Sequence, residues 1–202
     1  MHAVLLVALT GLAVAADPAA RATDDVLRKS WETYEKSLDA AKIAKDYAGA
    51  VQNLKSTEAD KQLAGLATLS ATGEIDAIPL LVPLLDSADA RVRIYAGSAL
   101  EKLVSGVALK RRDPAKLDRV ALLPRGAKDP DLRPLAWVVL QMLRKPDDGN
   151  THAYAATMIR YLELNEFEPE LRQLLQSRHP AVSNKAKWAL EELGFKIPNP
   201  NR

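Results

Sequence analysis

The apolar positions of residues 74–103 predict two consecutive helices. Leucine and isoleucine recur at three- and four-residue intervals in the first half, which predicts a helix over about 74–85. Residues 86–88 interrupt the pattern, and Asp89 is placed to cap a second helix. The apolar stripe of that helix consists of Val92, Ala96, Ala99, Leu100 and Leu103. Such a hairpin has apolar surface on both sides, so it must stack on other hairpins to be stable.

The second helix of this pair recurs along the chain. DARVRIYAGSAL (89–100) aligns with DPDLRPLAWVVL (129–140), with HPAVSNKAKWAL (179–190) and, more faintly, with TEADKQLAGLAT (57–68). This register predicts a small buried residue in every copy, at Ala64, Ala96, Ala136 and Ala186. The copies start 32, 40 and 50 residues apart, and the extra residues fall at 105–116 and 145–169. The second insert has its own apolar stripe, which predicts an additional helix through Ala155, Met158, Ile159 and Leu162.

These motifs resemble the HEAT-repeat family, in particular its short, bacterial, phycobilisome-lyase-like subclass. The residues that carry the resemblance are Ala77-Ile78-Pro79-Leu80-Leu81 in the first helix and Asp89 to Leu100 in the second. The match is close over 74–103, good over 128–143 and 169–193, and weak over 45–72. It implies an all-α fold, an armadillo-like α-α superhelix (a HEAT-like solenoid) of about four helical hairpins with an N-terminal helix. The family's arginine position falls on Arg93 and Arg133, which we expect to pair with turn acids of the following repeat.

The first residues of the chain predict export. An uncharged apolar run from Ala3 to Ala16 is shorter than the ~20 residues that span a bilayer. It fits the core of a signal peptide, with Ala13-Val14-Ala15 as a small-x-small cleavage site. The alternative is a buried N-terminal helix.

The same patterns divide the chain into four parts. We expect a signal peptide at 1–16, an N-terminal helical cap at 17–56, a HEAT-like repeat domain at 57–196 and a tail at 197–202. The cap is predicted to be one long or kinked helix over about 24–53. The mature protein is expected to be secreted or periplasmic, with no membrane span.

Composition narrows the choice of partners. The 28 Lys and Arg against 26 Asp and Glu give a net charge of +2, which does not indicate a nucleic-acid binder. Residues 105–145 nevertheless hold ten basic and four acidic side chains, so this segment is +6 and the remainder is −4. The chain has no cysteine, which excludes disulfides, thiolate metal sites and cysteine nucleophiles.

No sequence motif indicates catalysis. The three histidines form no His-x-x-x-His pair and no His-Glu dipeptide, and no glycine-rich phosphate loop or Gly-x-Ser-x-Gly motif occurs. Paired acids fall at helix starts, in turns or on helix faces and are interpreted as solvated surface. We therefore predict no enzyme activity and no catalytic, metal or cofactor site.

Two features are candidates for binding a partner. Lys110, Arg111 and Arg112 begin a basic segment at 110–128 that could meet an anionic surface, although a solvated loop is the alternative. Trp137 and Trp188 fall one step apart in the repeat register, where we expect them at the margin of a groove. Core packing is the alternative for both tryptophans.

These observations favour an exported, non-catalytic HEAT-repeat scaffold that binds protein or peptide partners. Two alternatives stay open. One is a lyase-like or enzyme-accessory protein with a small-molecule pocket near 145–169, around His152 and Tyr154. The other is a structural envelope protein.

Overall fold

All regular secondary structure in the described parts of the chain is helical. The computed structural model describes residues 18–112, 131–145 and 149–197, with the side chains of 18–23 and 109–112 left out, and these ranges contain no strand. They form ten α-helices: α1 (Pro18–Glu35), α2 (Ala40–Asp46), α3 (Ala48–Leu54), α4 (Ala59–Thr72), α5 (Ile78–Leu81), α6 (Ala90–Arg112), α7 (Ala136–Leu143), α8 (Thr151–Leu162), α9 (Glu168–Leu174) and α10 (Pro180–Glu192). The predicted signal peptide and all but the first residue of the predicted tail lie outside the described residues.

Four helices pack on one another in chain order. Helix α4 contacts α6, α6 contacts α8, and α8 contacts α10. Each also packs against the helical segment that precedes it: α3 lies on α4, residues 78–86 on α6, α7 on α8, and α9 on α10. One hydrophobic core extends from Trp31 to Leu190 through this arrangement. We call the surface around the exposed Trp188 of α10, on the side where α10 packs on α8, the open face.

Helix α6 confirms the predicted second helix of the best-matching hairpin. Val92, Ala96 and Leu100 are fully buried. Asp89 caps the helix, because its carboxylate accepts a hydrogen bond from the Arg91 backbone N–H at 2.8 Å. The Arg91 side chain binds the same carboxylate and lowers the pKa of Asp89.

Only one of the two repeat arginines pairs as predicted. Arg133 lies 3.4 Å from Glu166, in the 3₁₀ turn before α9. The prediction for Arg93 was wrong, because its guanidinium donates to the backbone carbonyls of Ser87 and Ala88 in the preceding turn. Arg93 therefore satisfies carbonyl groups where one helical segment ends and the next begins.

The first helix of that hairpin is less regular than predicted. Instead of one helix over 74–85, the structure has a 3₁₀ turn at Ile75–Ala77, the short α5, and a 3₁₀ stretch at Val82–Asp86. Pro79 and Pro83 lack the N–H groups that would bind the carbonyls four residues earlier, so a continuous α-helix cannot form. The apolar positions Ile78, Leu81, Leu84 and Leu85 are nevertheless buried as predicted.

The weakest copy was aligned one residue out of register. Ala64 is exposed, whereas Gly65 is buried and occupies the point where α4 crosses α3. A Cβ atom on Gly65 would lie 2.7 Å from the Ala50 carbonyl oxygen and 2.8 Å from Leu54 Cδ2. Ala96, Ala136 and Ala186 are buried as expected.

The copy of the motif at 129–140 does not form the second helix of a hairpin, as its alignment predicted. Helix α7 takes the position of a first helix, because it packs on α8. The additional helix predicted at 145–169 is confirmed as α8, and it lies between α6 and α10. Apolar spacing alone could not distinguish these positions, since both helices bury apolar residues.

The N-terminal segment forms three helices rather than one long or kinked helix. A turn at Tyr34–Ser37 ends α1, and Asp39 caps α2 by accepting a hydrogen bond from Lys42 N at 2.9 Å. Helix α1 packs on α7 and on the 3₁₀ turn before it, with Trp31 buried. An ion pair between Asp24 and Arg144 joins the same two helices. Helix α1 therefore connects the start of the described chain to its third hairpin.

Candidate functional site

The most unusual group on the second helices is a buried arginine in α8. Ten of the twelve residues of α8 are buried, because α6, α7 and α10 surround it. Arg160 is one of them, with 4% of its surface exposed. A buried guanidinium must be paired or stacked to offset the loss of its hydration.

Two aromatic rings stack on this guanidinium. Its central carbon lies 3.9 Å from the ring centroid of Tyr161 and 3.6 Å from that of Trp188 on α10. Cation–π attraction at these distances is strengthened where water is excluded. The contacts join α8 to α10 through the polar end of Arg160 rather than through an apolar side chain.

Glu192 fixes both members of the stack. One of its carboxylate oxygens accepts a hydrogen bond from Arg160 Nη1 at 2.9 Å, and the other accepts one from Trp188 Nε1 at 2.9 Å. The indole ring is therefore fixed by its nitrogen and by its face. Even so, 37% of the Trp188 surface is exposed. Trp188 therefore presents an aromatic side chain of fixed conformation on the open face.

One edge of the Arg160 guanidinium has no acceptor among the described residues. Nε and Nη2 are buried and make no hydrogen bond. These two groups form the side-on edge that binds a carboxylate or phosphate in bidentate fashion. Both donors are covered by the surrounding protein, so an anion reaches them only if the residues that cover them move.

A half-buried carboxylate and a lysine complete the cluster. Burial raises the pKa of Glu101 on α6, while the charges of Lys185 and Arg160 and a hydrogen bond with Ser105 oppose this rise. The Lys185 ammonium lies 4.9 Å from the centroid of the Trp188 ring. Side chains of α6, α8 and α10 thus meet at one place on the open face.

The structure separates the two predicted tryptophans. Trp188 belongs to the cluster around Arg160, whereas Trp137 is half-buried on α7 and packs against the hydrophobic core. The backbone of Lys110, Arg111 and Arg112 forms the end of α6, but their side chains and residues 113–128 lie outside the described part of the chain. The basic segment therefore stays a prediction.

Sequence reasoning missed Arg160, Tyr161 and Glu101. The sequence did contain a signal for Arg160, because it is the only charged residue in the helix THAYAATMIRYL. An ionisable residue in so apolar a helix indicates a paired or functional group. The partners of Arg160 on α10 are about thirty residues further along the chain. Only the packing of α8 on α10 brings them close to it.

The pocket predicted around His152 and Tyr154 is only partly formed by those residues. His152 lines a cleft between α7, α8 and α9. Tyr154 instead lies against α6, where a Cβ atom on Gly97 would be 3.3 Å from its ring. The cleft therefore opens on one side of α8 and Tyr154 packs on another.

The described residues offer neither a ligand set for a metal ion nor a helix for a membrane span. They contain no group of three or more His, Asp or Glu side chains that could hold a metal ion. None of the helices in these ranges has both the length and the hydropathy needed to cross a bilayer. Comparisons with models of known protein families, with curated proteins and with solved structures returned no match for this chain.

Proposed function

We propose that this protein is a non-catalytic, HEAT-like helical scaffold that binds a protein or peptide segment on its open face. The observation that carries the proposal is Trp188, which is exposed yet fixed by Arg160 and Glu192. An aromatic side chain whose conformation is already set loses little entropy when a partner covers it, and tryptophan is enriched at binding hot spots. The sequential packing of α4, α6, α8 and α10 supports a superhelical arrangement.

Two further features bear on what such a partner would contact. Tyr95 on α6 is 55% exposed and adds a second aromatic surface. Lys185 favours a segment that carries a carboxylate, since its ammonium lies 4.9 Å from the centroid of the Trp188 ring and can pair with an acid beside it. The expected ligand is therefore a peptide with an acidic residue beside an apolar one.

Selection from a displayed peptide library tests this proposal. We expect the wild type to enrich peptides with Asp or Glu next to an apolar residue, and Trp188→Ala to weaken their binding by about thirtyfold or more. Val26→Ala is the matched control, because Val26 is also an exposed apolar residue, at 66%, but lies on α1. Equal binding by wild type and Trp188→Ala, or no enrichment by the wild type, would refute the proposal.

We further propose that the protein acts outside the cytoplasm, on the basis of the apolar run at residues 3–16. Fusion of a reporter that is active only after export tests this placement. The full-length fusion should be active, and a fusion lacking residues 1–16 should be inactive. Activity in both fusions would contradict it.

A further inference from the structure

A cleft of about 550 Å³ lies between α7, the start of α8, and α9 with the turn that follows it. Its volume is within the range typical of sites for small organic molecules. Leu140 and Leu143 on α7 and Leu174 on α9 supply apolar lining. The polar lining includes Arg144, His152 and Glu170. The cleft is thus amphipathic, and its charged groups decide which ligand it suits.

Two of these polar groups already have partners within the protein. Arg144 pairs with Asp24 of α1. His152 Nε2 lies 3.0 Å from the backbone carbonyl oxygen of Lys145, within hydrogen-bond distance. Neither group needs a ligand to satisfy it.

Glu170 differs from both. Its Oε2 atom is buried and accepts no hydrogen bond from any residue in the described part of the chain. A carboxylate with one buried oxygen and no donor is poorly stabilised, and a charge-assisted hydrogen bond to its accessible oxygen would offset part of that cost. The other oxygen, Oε1, is not among the buried atoms that lack a partner, and it is the one that a donor in the cleft can reach.

We propose that this cleft binds a small organic cation: an ammonium group that pairs with Glu170, on an apolar body that packs against Leu140, Leu143 and Leu174. An ammonium group supplies the donors that Glu170 lacks. A carboxylate ligand would be repelled by Glu170, and a neutral apolar ligand would displace water from its accessible oxygen without supplying a donor. The inference is independent of peptide binding on the open face, because none of these residues belongs to the cluster around Arg160.

Titration with three probes of the same apolar length tests the assignment. Hexylammonium, 1-hexanol and hexanoate are added separately to the ¹⁵N-labelled protein, and amide shifts are followed by NMR. We expect hexylammonium to shift resonances of α7 and α9 and to bind at least about tenfold more tightly than 1-hexanol. Hexanoate should bind more weakly than either.

A matched pair of variants separates a specific site from general charge attraction. Glu170→Gln keeps the shape of the side chain and removes its charge, so it should weaken hexylammonium binding by about tenfold or more. Glu191→Gln removes the same charge from an exposed position on α10 and should have no effect. The NMR spectrum of each variant also shows whether it is folded.

Three outcomes would overturn the proposal. One is equal binding of hexylammonium to the wild type and to Glu170→Gln. The second is a set of shifts centred outside α7 and α9. The third is no saturable shift up to about 50 mM, a concentration that should suffice for a ligand of this size.

Discussion

The crossing of α3 and α4 predicts opposite effects for the same substitution at two glycines. A Cβ atom on Gly65 would lie 2.7 Å from the Ala50 carbonyl oxygen and 3.1 Å from the Leu54 backbone nitrogen. Both are backbone atoms, so they cannot turn away as a side chain would. Helix α3 would have to move by about 0.7 Å to restore ordinary contact with the Ala50 oxygen. Gly106 in α6 has no atom within 4 Å of the corresponding position.

The two effects can be estimated separately. Replacing glycine by alanine inside a helix stabilises it by about 0.5–1 kcal/mol, because alanine loses less backbone entropy on folding. Gly106→Ala should show this gain alone. At Gly65 the same gain is opposed by overpacking, which costs about 1–3 kcal/mol and is at the upper end where the backbone must move. Gly65→Ala should therefore lower the free energy of unfolding by about 1–2 kcal/mol.

Urea and thermal unfolding followed by circular dichroism measure both variants. For a chain of this size, 1 kcal/mol corresponds to a shift in Tm of about 2–4 °C. Gly65→Ala should lower Tm by about 2–8 °C, and Gly106→Ala should raise it by about 1–4 °C. If both variants were stabilised to the same degree, α3 and α4 would not approach each other through their backbones.

Two further predictions concern α1 and the cluster on the open face. Trp31→Ala should lower the free energy of unfolding by about 3–5 kcal/mol, since it empties the buried site that holds α1 on α7; a urea midpoint close to that of the wild type would contradict this contact. Burial raises the pKa of Glu101 in the folded protein above its unfolded value, so ionisation of Glu101 destabilises the fold as the pH rises above about 4.5. Glu101→Gln should therefore gain stability relative to the wild type as the pH rises above about 4.5, and a difference that did not change with pH would refute the assignment.

Local pattern was sufficient to predict α6. Its apolar stripe has helical spacing, Asp89 is a favourable capping residue, and the buried residues are those expected. The additional helix in the insert at 145–169 was predicted for the same reason. These features depend on residues within one or two turns of each other, which a sequence displays directly.

The features that were missed depend on residues far apart in the chain. The shift from Ala64 to Gly65 could not be seen in a stretch where small residues are adjacent, because only the crossing of α3 decides which one must be small. The place of α7 follows from its packing on α8. The cluster around Arg160 requires Trp188 and Glu192 from α10, so no local pattern in α8 could identify it.

The position of α1 changes how the protein must reach its folded state. In an array where each hairpin touches only its neighbours, terminal units can open or form almost independently. Here the docking site for α1 does not exist until α7 has been synthesised and packed, more than a hundred residues later. Such a long-range closure slows folding and couples the first hairpins to the third. A truncation after α6 would leave α1 without its partner and would expose Trp31 to solvent, so the N-terminal half is not expected to behave as a self-sufficient unit.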